Sequence, residues 1–120
     1  MVNQASADLR NDFSPRIAVD IGIVVADLAR SQAFYQDLLG LKVVAEVRTS
    51  LIGAGRMVQL QHGASRIKLI ELDIPPAVQS TGAVADAYGY RYLTVLVADL
   101  AAVMAAGQRL GVPVVVPITP

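Results

Sequence analysis

At 120 residues, 54% hydrophobic and 17% charged, the chain is long enough for one domain with a real core, and its lack of cysteine excludes disulfides and thiolate metal sites. Ten basic residues balance ten acidic ones and lie scattered, which argues against a nucleic-acid surface. No apolar run is long enough to cross a bilayer, and residues 1–16 lack the basic start and apolar stretch of a secretory signal. The expectation is a cytoplasmic protein with neither nucleic acid nor membrane as partner. High apolar content at zero net charge further suggests surface buried against a second copy, a homodimer.

Residues 1–16 read as a polar N-terminal arm. Residues 17–25, IAVDIGIVV, read as a strand through their β-branched content. At a period of two, Ile17, Val19, Ile21, Ile23 and Val25 share one face, and Ala18, Asp20, Gly22 and Val24 the other. Asp27 stands where a helix N-cap is needed, because its carboxylate can accept the free N–H groups of the first turn. Leu28, Ser31, Tyr35 and Leu38 then follow at helical spacing, and Gly40 is placed to end the helix with positive φ. Strands are predicted over 41–48, 56–61 and 66–72, with turns at GAG (53–55) and HGAS (62–65). The unit spanning 17–72 is therefore βαβββ.

A linker over 73–89 carries paired prolines and small residues. Beyond it the pattern returns. Residues 90–97 read as a strand, Asp99 as a cap, 100–110 as a helix, Gly111 as its stop and 112–116 as a returning strand. The pentapeptide VADLA occurs in both units, once at 25–29 and once at 97–101. Aligning the terminal glycines, Gly40 with Gly111, shortens the second unit by one residue. Over 90–120 the second unit has no counterpart of the third and fourth strands. A half-built sheet exposes an edge, to be covered by residues 1–16 or by another subunit, or left bare by a shortened chain.

Asp27-Leu28, Phe34-Tyr35 and Leu39-Gly40-Leu41, followed by GYRYLTVLVADLAAVMAAGQRLGVPVV, resemble the vicinal-oxygen-chelate superfamily over residues 17 to about 116. That group includes glyoxalase I, bleomycin-resistance proteins, fosfomycin-resistance enzymes, methylmalonyl-CoA epimerase and extradiol dioxygenases. The resemblance implies an α+β fold in which paired βαβββ modules form a cup-shaped mixed sheet, here with the second module incomplete at its C-terminal side. It says less about the reaction, because one scaffold hosts several chemistries.

Metal-dependent members hold one divalent ion with a His from the first strand of each unit and a Glu or Gln from each fourth strand. Carried over, the first-unit His falls on Asp20, the first-unit Glu on Lys68 and the second-unit His on Tyr92; the last position lies in a strand the sequence lacks. An ammonium has no lone pair to give and a neutral phenol is a poor ligand. The resemblance therefore implies no metal and no cofactor here. Alternation puts Arg66, Lys68, Ile70 and Leu72 on one face of the fourth strand and Ile67, Leu69 and Glu71 on the other, and a bulge would exchange Lys68 for Glu71.

Asp20, Lys68 and Tyr92 are thus expected to project into the cup, with Tyr90 and Gln59 along its walls. Asp20 and Lys68 also make sense as an ion pair filling the vacated metal position. The expected function is to bind a small organic molecule in the cup, as bleomycin-resistance proteins do. The alternative is a metal-independent isomerase, lyase or cyclase, with Asp20 as base and Tyr92 or Lys68 steadying developing negative charge. A third reading is a divalent-metal lyase or dioxygenase with rearranged ligands, Asp20, His62 and Glu71. A fourth is a half-protein that only pairs with a partner.

Overall fold

The computed structural model describes residues 18–50 and 53–118. The N-terminal arm, residues 1–16, lies outside the described residues. Strands β1 (Ile21–Val24), β2 (Lys42–Thr49), β3 (Gly55–His62) and β4 (Ser65–Leu72) form one open mixed sheet in the order β1-β4-β3-β2. β1 runs parallel to β4, and the other two pairings are antiparallel. The parallel pairing requires a crossover, which the first helix supplies.

That helix begins as α1 (Leu28–Ala33) and continues through a π turn, Phe34–Leu38. Asp27 caps it as expected, its Oδ1 accepting the Arg30 N–H at 3.1 Å. Glu71 on β4 accepts a second first-turn N–H, that of Leu28, at 3.3 Å. The helix ends at Gly40, whose φ of 70° is open to glycine at no steric cost. Helix α2 (Leu100–Leu110) repeats the design: Asp99 accepts the Ala102 N–H at 3.0 Å, and Gly111 closes it with φ 72°.

The two helices differ by one residue between cap and closing glycine, and the π turn is where the longer one takes it up. A π turn holds one residue more than the α turn it replaces.

The core lies between the sheet and α1. Leu28, Leu41, Val58, Leu60, Ile67 and Leu69 form one buried cluster, with Ile23, Val25, Tyr35, Leu39 and Val43 packed around it. Leu60 and Leu69 are wholly enclosed. Burial of Tyr35 pushes its phenol above the usual tyrosine value, since the anion would lose its water. α2 rests on the π turn through Gly107, where an added Cβ would stand 3.4 Å from Leu38 Cδ1. None of the described helices is long and apolar enough to cross a membrane.

The second unit departs from expectation. Residues 90–97 and 112–116 join no ladder among the described residues, although both carry the β-branched pattern of strands. Strand propensity records fit to a pleated, half-buried surface, and no such surface is offered to them here. Tyr92, Leu96, Val115 and Val116 are each more than three-quarters exposed. The linker is instead gathered around Arg91, whose guanidinium donates to the Thr81, Ala83 and Val84 carbonyls and to the Ser80 and Thr81 hydroxyls.

Candidate functional site

Register divides the sheet into two unlike faces. On the helix side lie Ile67, Leu69 and Glu71 of β4 with Val58 and Leu60 of β3. On the open side, Lys68 is flanked by Gly22 of β1 and Gln59 of β3, and Ile70 by Val24 and Met57. No bulge interrupts β4; the one shift in the sheet falls in β2, between Val43 and Ala45. Lys68 therefore occupies the open face, and Glu71 faces the helix.

The open face carries a polar cluster at the end where β4 begins. Asp20 Oδ1 accepts the Arg66 backbone N–H at 2.9 Å, and its Oδ2 lies 3.6 Å from Lys68 Nζ. Arg66 Nη1 donates to Gln59 Oε1 at 2.8 Å. Asp20 is thus tied to backbone, while Lys68 stands near it without reaching hydrogen-bond distance. Two-thirds of the Lys68 side chain is covered. Gly22 leaves a gap beside it: a Cβ there would meet only Ile70 Cδ1, at 3.7 Å.

Three of the expected site residues are therefore brought together, Asp20, Lys68 and Gln59, and Arg66 joins them. Tyr90 and Tyr92 are not held in this cluster. They lie in the unpaired segment, Tyr90 fully exposed and Tyr92 78% exposed, with no hydrogen bond to Asp20, Lys68 or Gln59 among the described residues. His62, at the end of β3, meets the Leu96 carbonyl through Nε2 at 2.7 Å, which fastens the unpaired segment to the same end of the sheet.

The other face is internally paired. Arg56 Nη2 binds Glu71 Oε2 at 2.5 Å, and that hydrogen bond and charge hold the guanidinium above its usual value. Arg48 pairs with Asp73. A groove of about 340 Å³ opens here, lined by Leu28, Gln32, Glu46, Arg48 and Arg56 among others, at the far side from Lys68.

The rearranged metal set fails on geometry. Asp20 belongs to the open face and Glu71 is engaged on the helix face by Arg56 and Leu28, so one ion cannot take both. No three His, Asp or Glu side chains gather into a metal-holding group among the described residues. Nor does the position that metal-dependent relatives fill with a carboxylate suit an ion here, because Lys68 brings a positive charge to it.

A four-stranded βαβββ sheet with a capped helix, followed by a second copy of cap, helix and glycine stop, matches a known family. The model of the Glyoxalase/Bleomycin resistance protein/Dioxygenase superfamily covers residues 17–120. The chain belongs to that superfamily. Solved structures agree at the level of fold. The glyoxalase family protein from Enterococcus faecalis is 24% identical with a TM-score of 0.54, over 78% of this chain and 69% of that one. The fosfomycin resistance protein FosX from Listeria monocytogenes, solved with Mn(II) and sulfate, is 13% identical with a TM-score of 0.51, over 79% and 71%. The protein designated SMU.1112c is 18% identical with a TM-score of 0.50, over 79% and 75%. No curated protein gives a significant sequence match. Within the superfamily this member keeps the first module intact and, among its described residues, reduces the second to a helix between unpaired segments.

Sequence reasoning missed Arg66 as a site residue. The signal was there, since Arg66 shares a face with Lys68 at a spacing of two. The Arg91 clasp offered no such signal, because its acceptors sit in a loop with no period.

Proposed function

We propose that the protein binds a small organic molecule on the open face of its sheet, without a metal. The observation that carries this is the cluster of Asp20, Arg66, Gln59 and Lys68, placed beside the gap at Gly22 and the apolar Val24, Met57 and Ile70. A few directed polar groups against an apolar floor is the composition of small-molecule sites.

The alternative, a metal-independent isomerase, lyase or cyclase, rests on Asp20, whose Oδ2 accepts no hydrogen bond among the described residues and can take a proton. Binding is favoured over it because Tyr92, one of the two residues expected to steady developing negative charge, is exposed and makes no hydrogen bond with Asp20 among the described residues.

We also propose a homodimer, because an open sheet gives a ligand one wall only. Among the described residues the outer edge of β1 is unpaired, and residues 90–97 carry strand-type sequence with no ladder. A second copy would satisfy both and cover exposed Leu96 and Tyr92. Light scattering should give twice the chain mass, and a monodisperse monomer would count against the dimer. A cytoplasmic setting remains part of the proposal, to be checked by fractionation of tagged cells.

The deciding experiment is elemental mass spectrometry after exposure to Zn, Ni, Mn and Fe(II), followed by a thermal-shift screen of small molecules. Sub-stoichiometric metal with ligand-induced stabilisation is expected. Stoichiometric metal, lost in Asp20→Ala, would overturn the metal-free reading.

A further inference from the structure

We infer that the ligand of the open face is an organic anion, such as a carboxylate, bound at Lys68 and Arg66. This rests on the binding function proposed for that face and names the class of ligand. The first ground is charge. The sequence as a whole is neutral. Its charges nevertheless divide between the faces of the sheet. By register, Lys42, Arg66 and Lys68 belong to the open face with Asp20 as their sole acidic counterpart among the described residues. Glu46 and Glu71 lie on the helix face, where Glu71 is bound to Arg56. The open face therefore has surplus positive charge, while on the helix face Arg48 and Arg56 are paired with Asp73 and Glu71.

The second ground is geometry. Asp20 is the nearest acid to Lys68, yet at 3.6 Å it forms no hydrogen bond with the ammonium, and its other oxygen is committed to the Arg66 backbone. The ammonium has three donors, and beyond its ion pair with Asp20 at 3.6 Å none makes a hydrogen bond to a described residue. Arg66 gives Nη1 to Gln59, and no other bond from its guanidinium is made among the described residues. Donors of both cations are thus open on the same face, in residues two apart on one strand. An ammonium is stabilised by a charged acceptor more than by a neutral one. Val24 and Met57, on either side of the buried Ile70, continue the face beyond Lys68, so the anion is expected to carry an apolar body. Lys68 thereby supplies by covalent attachment the positive charge that metal-dependent relatives import as an ion.

The test titrates the full chain with benzoate and 4-phenylbutyrate and with the matching amides, followed by NMR. The acids should bind at least tenfold more tightly than their amides, and added NaCl should weaken the acids only. Lys68→Met should lose at least tenfold in acid affinity, while Lys68→Arg restores it. Arg30→Gln, which removes an equal charge from helix α1, should leave the affinity unchanged. The salt comparison on the wild-type chain keeps the inference testable should Lys68→Met fold poorly. Amides that bind as tightly as acids would overturn the anion and leave ligand binding in place. If neither class binds at millimolar concentration, both readings fall.

Discussion

The two halves of this chain share a pentapeptide, an aspartate cap and a glycine stop, yet only the first builds a sheet. Asp27 and Asp99 make the same hydrogen bond three residues on, and Gly40 and Gly111 take the same left-handed φ. The difference lies in the residues beyond each helix. After Gly40 come three strands that pair with one another and bury Leu60 and Leu69. After Gly111 comes VPVVVP, with strand-forming residues and no pairing neighbour among the described residues. Helix ends are specified by residues within a few positions of one another, so a duplicated segment re-forms them anywhere. A strand is specified by its partner. Local information was copied in both halves, and tertiary information in only one.

This contrast can be broken most directly in the core. Leu60→Ala should cost about 3 kcal/mol by urea unfolding, because the cavity would sit between sheet and helix with little room to collapse. Leu110→Ala, at a half-exposed position of α2, should stay within about 0.5 kcal/mol. Equal costs at the two sites would mean that the second half is packed as tightly as the first, against a surface the isolated chain does not show.

A smaller effect sharpens it. Asp27→Ala should lower global stability by about 1 kcal/mol, since α1 forms one side of the core. Asp99→Ala removes the same bond, but it should chiefly speed amide exchange within residues 100–110 and leave the unfolding midpoint near wild type. A matching fall in midpoint for both would show that the halves unfold as one.

The smallest effect is in alkali. Burial raises the Tyr35 phenol, so the folded state prefers it protonated. Its contribution is whole below the ordinary tyrosine value, about 10, and is lost as pH rises through the folded value. Urea midpoints between pH 8 and 11 should fall more steeply for wild type than for Tyr35→Phe.

Much of the first half was legible in the sequence. Alternation over 66–72 placed Lys68 and Glu71 on opposite faces, and the structure has them so. The sheet order was not readable from propensity, because pairing partners lie far apart in sequence. The strands expected over 90–97 and 112–116 do not form among the described residues, because β-branched residues advertise readiness to pair and not pairing itself. In the site, Asp20 and Lys68 came from positions carried over, and Gln59 from alternation. What no pattern could reveal is the distance between Asp20 and Lys68, and with it whether the pair is closed or open.

The π turn at Phe34–Leu38 has a bearing on how the halves diverged. A single-codon length difference between repeats is ordinarily sought in a loop, where it is harmless. Here both flanking punctuation marks, Asp27 and Gly40, have kept their posts, so the extra residue is lodged inside the helix, as a widened coil. Removing one residue from 34–38 would give the first helix the same count from cap to stop as the second. Alignments of the two repeats should therefore open their gap within 34–38.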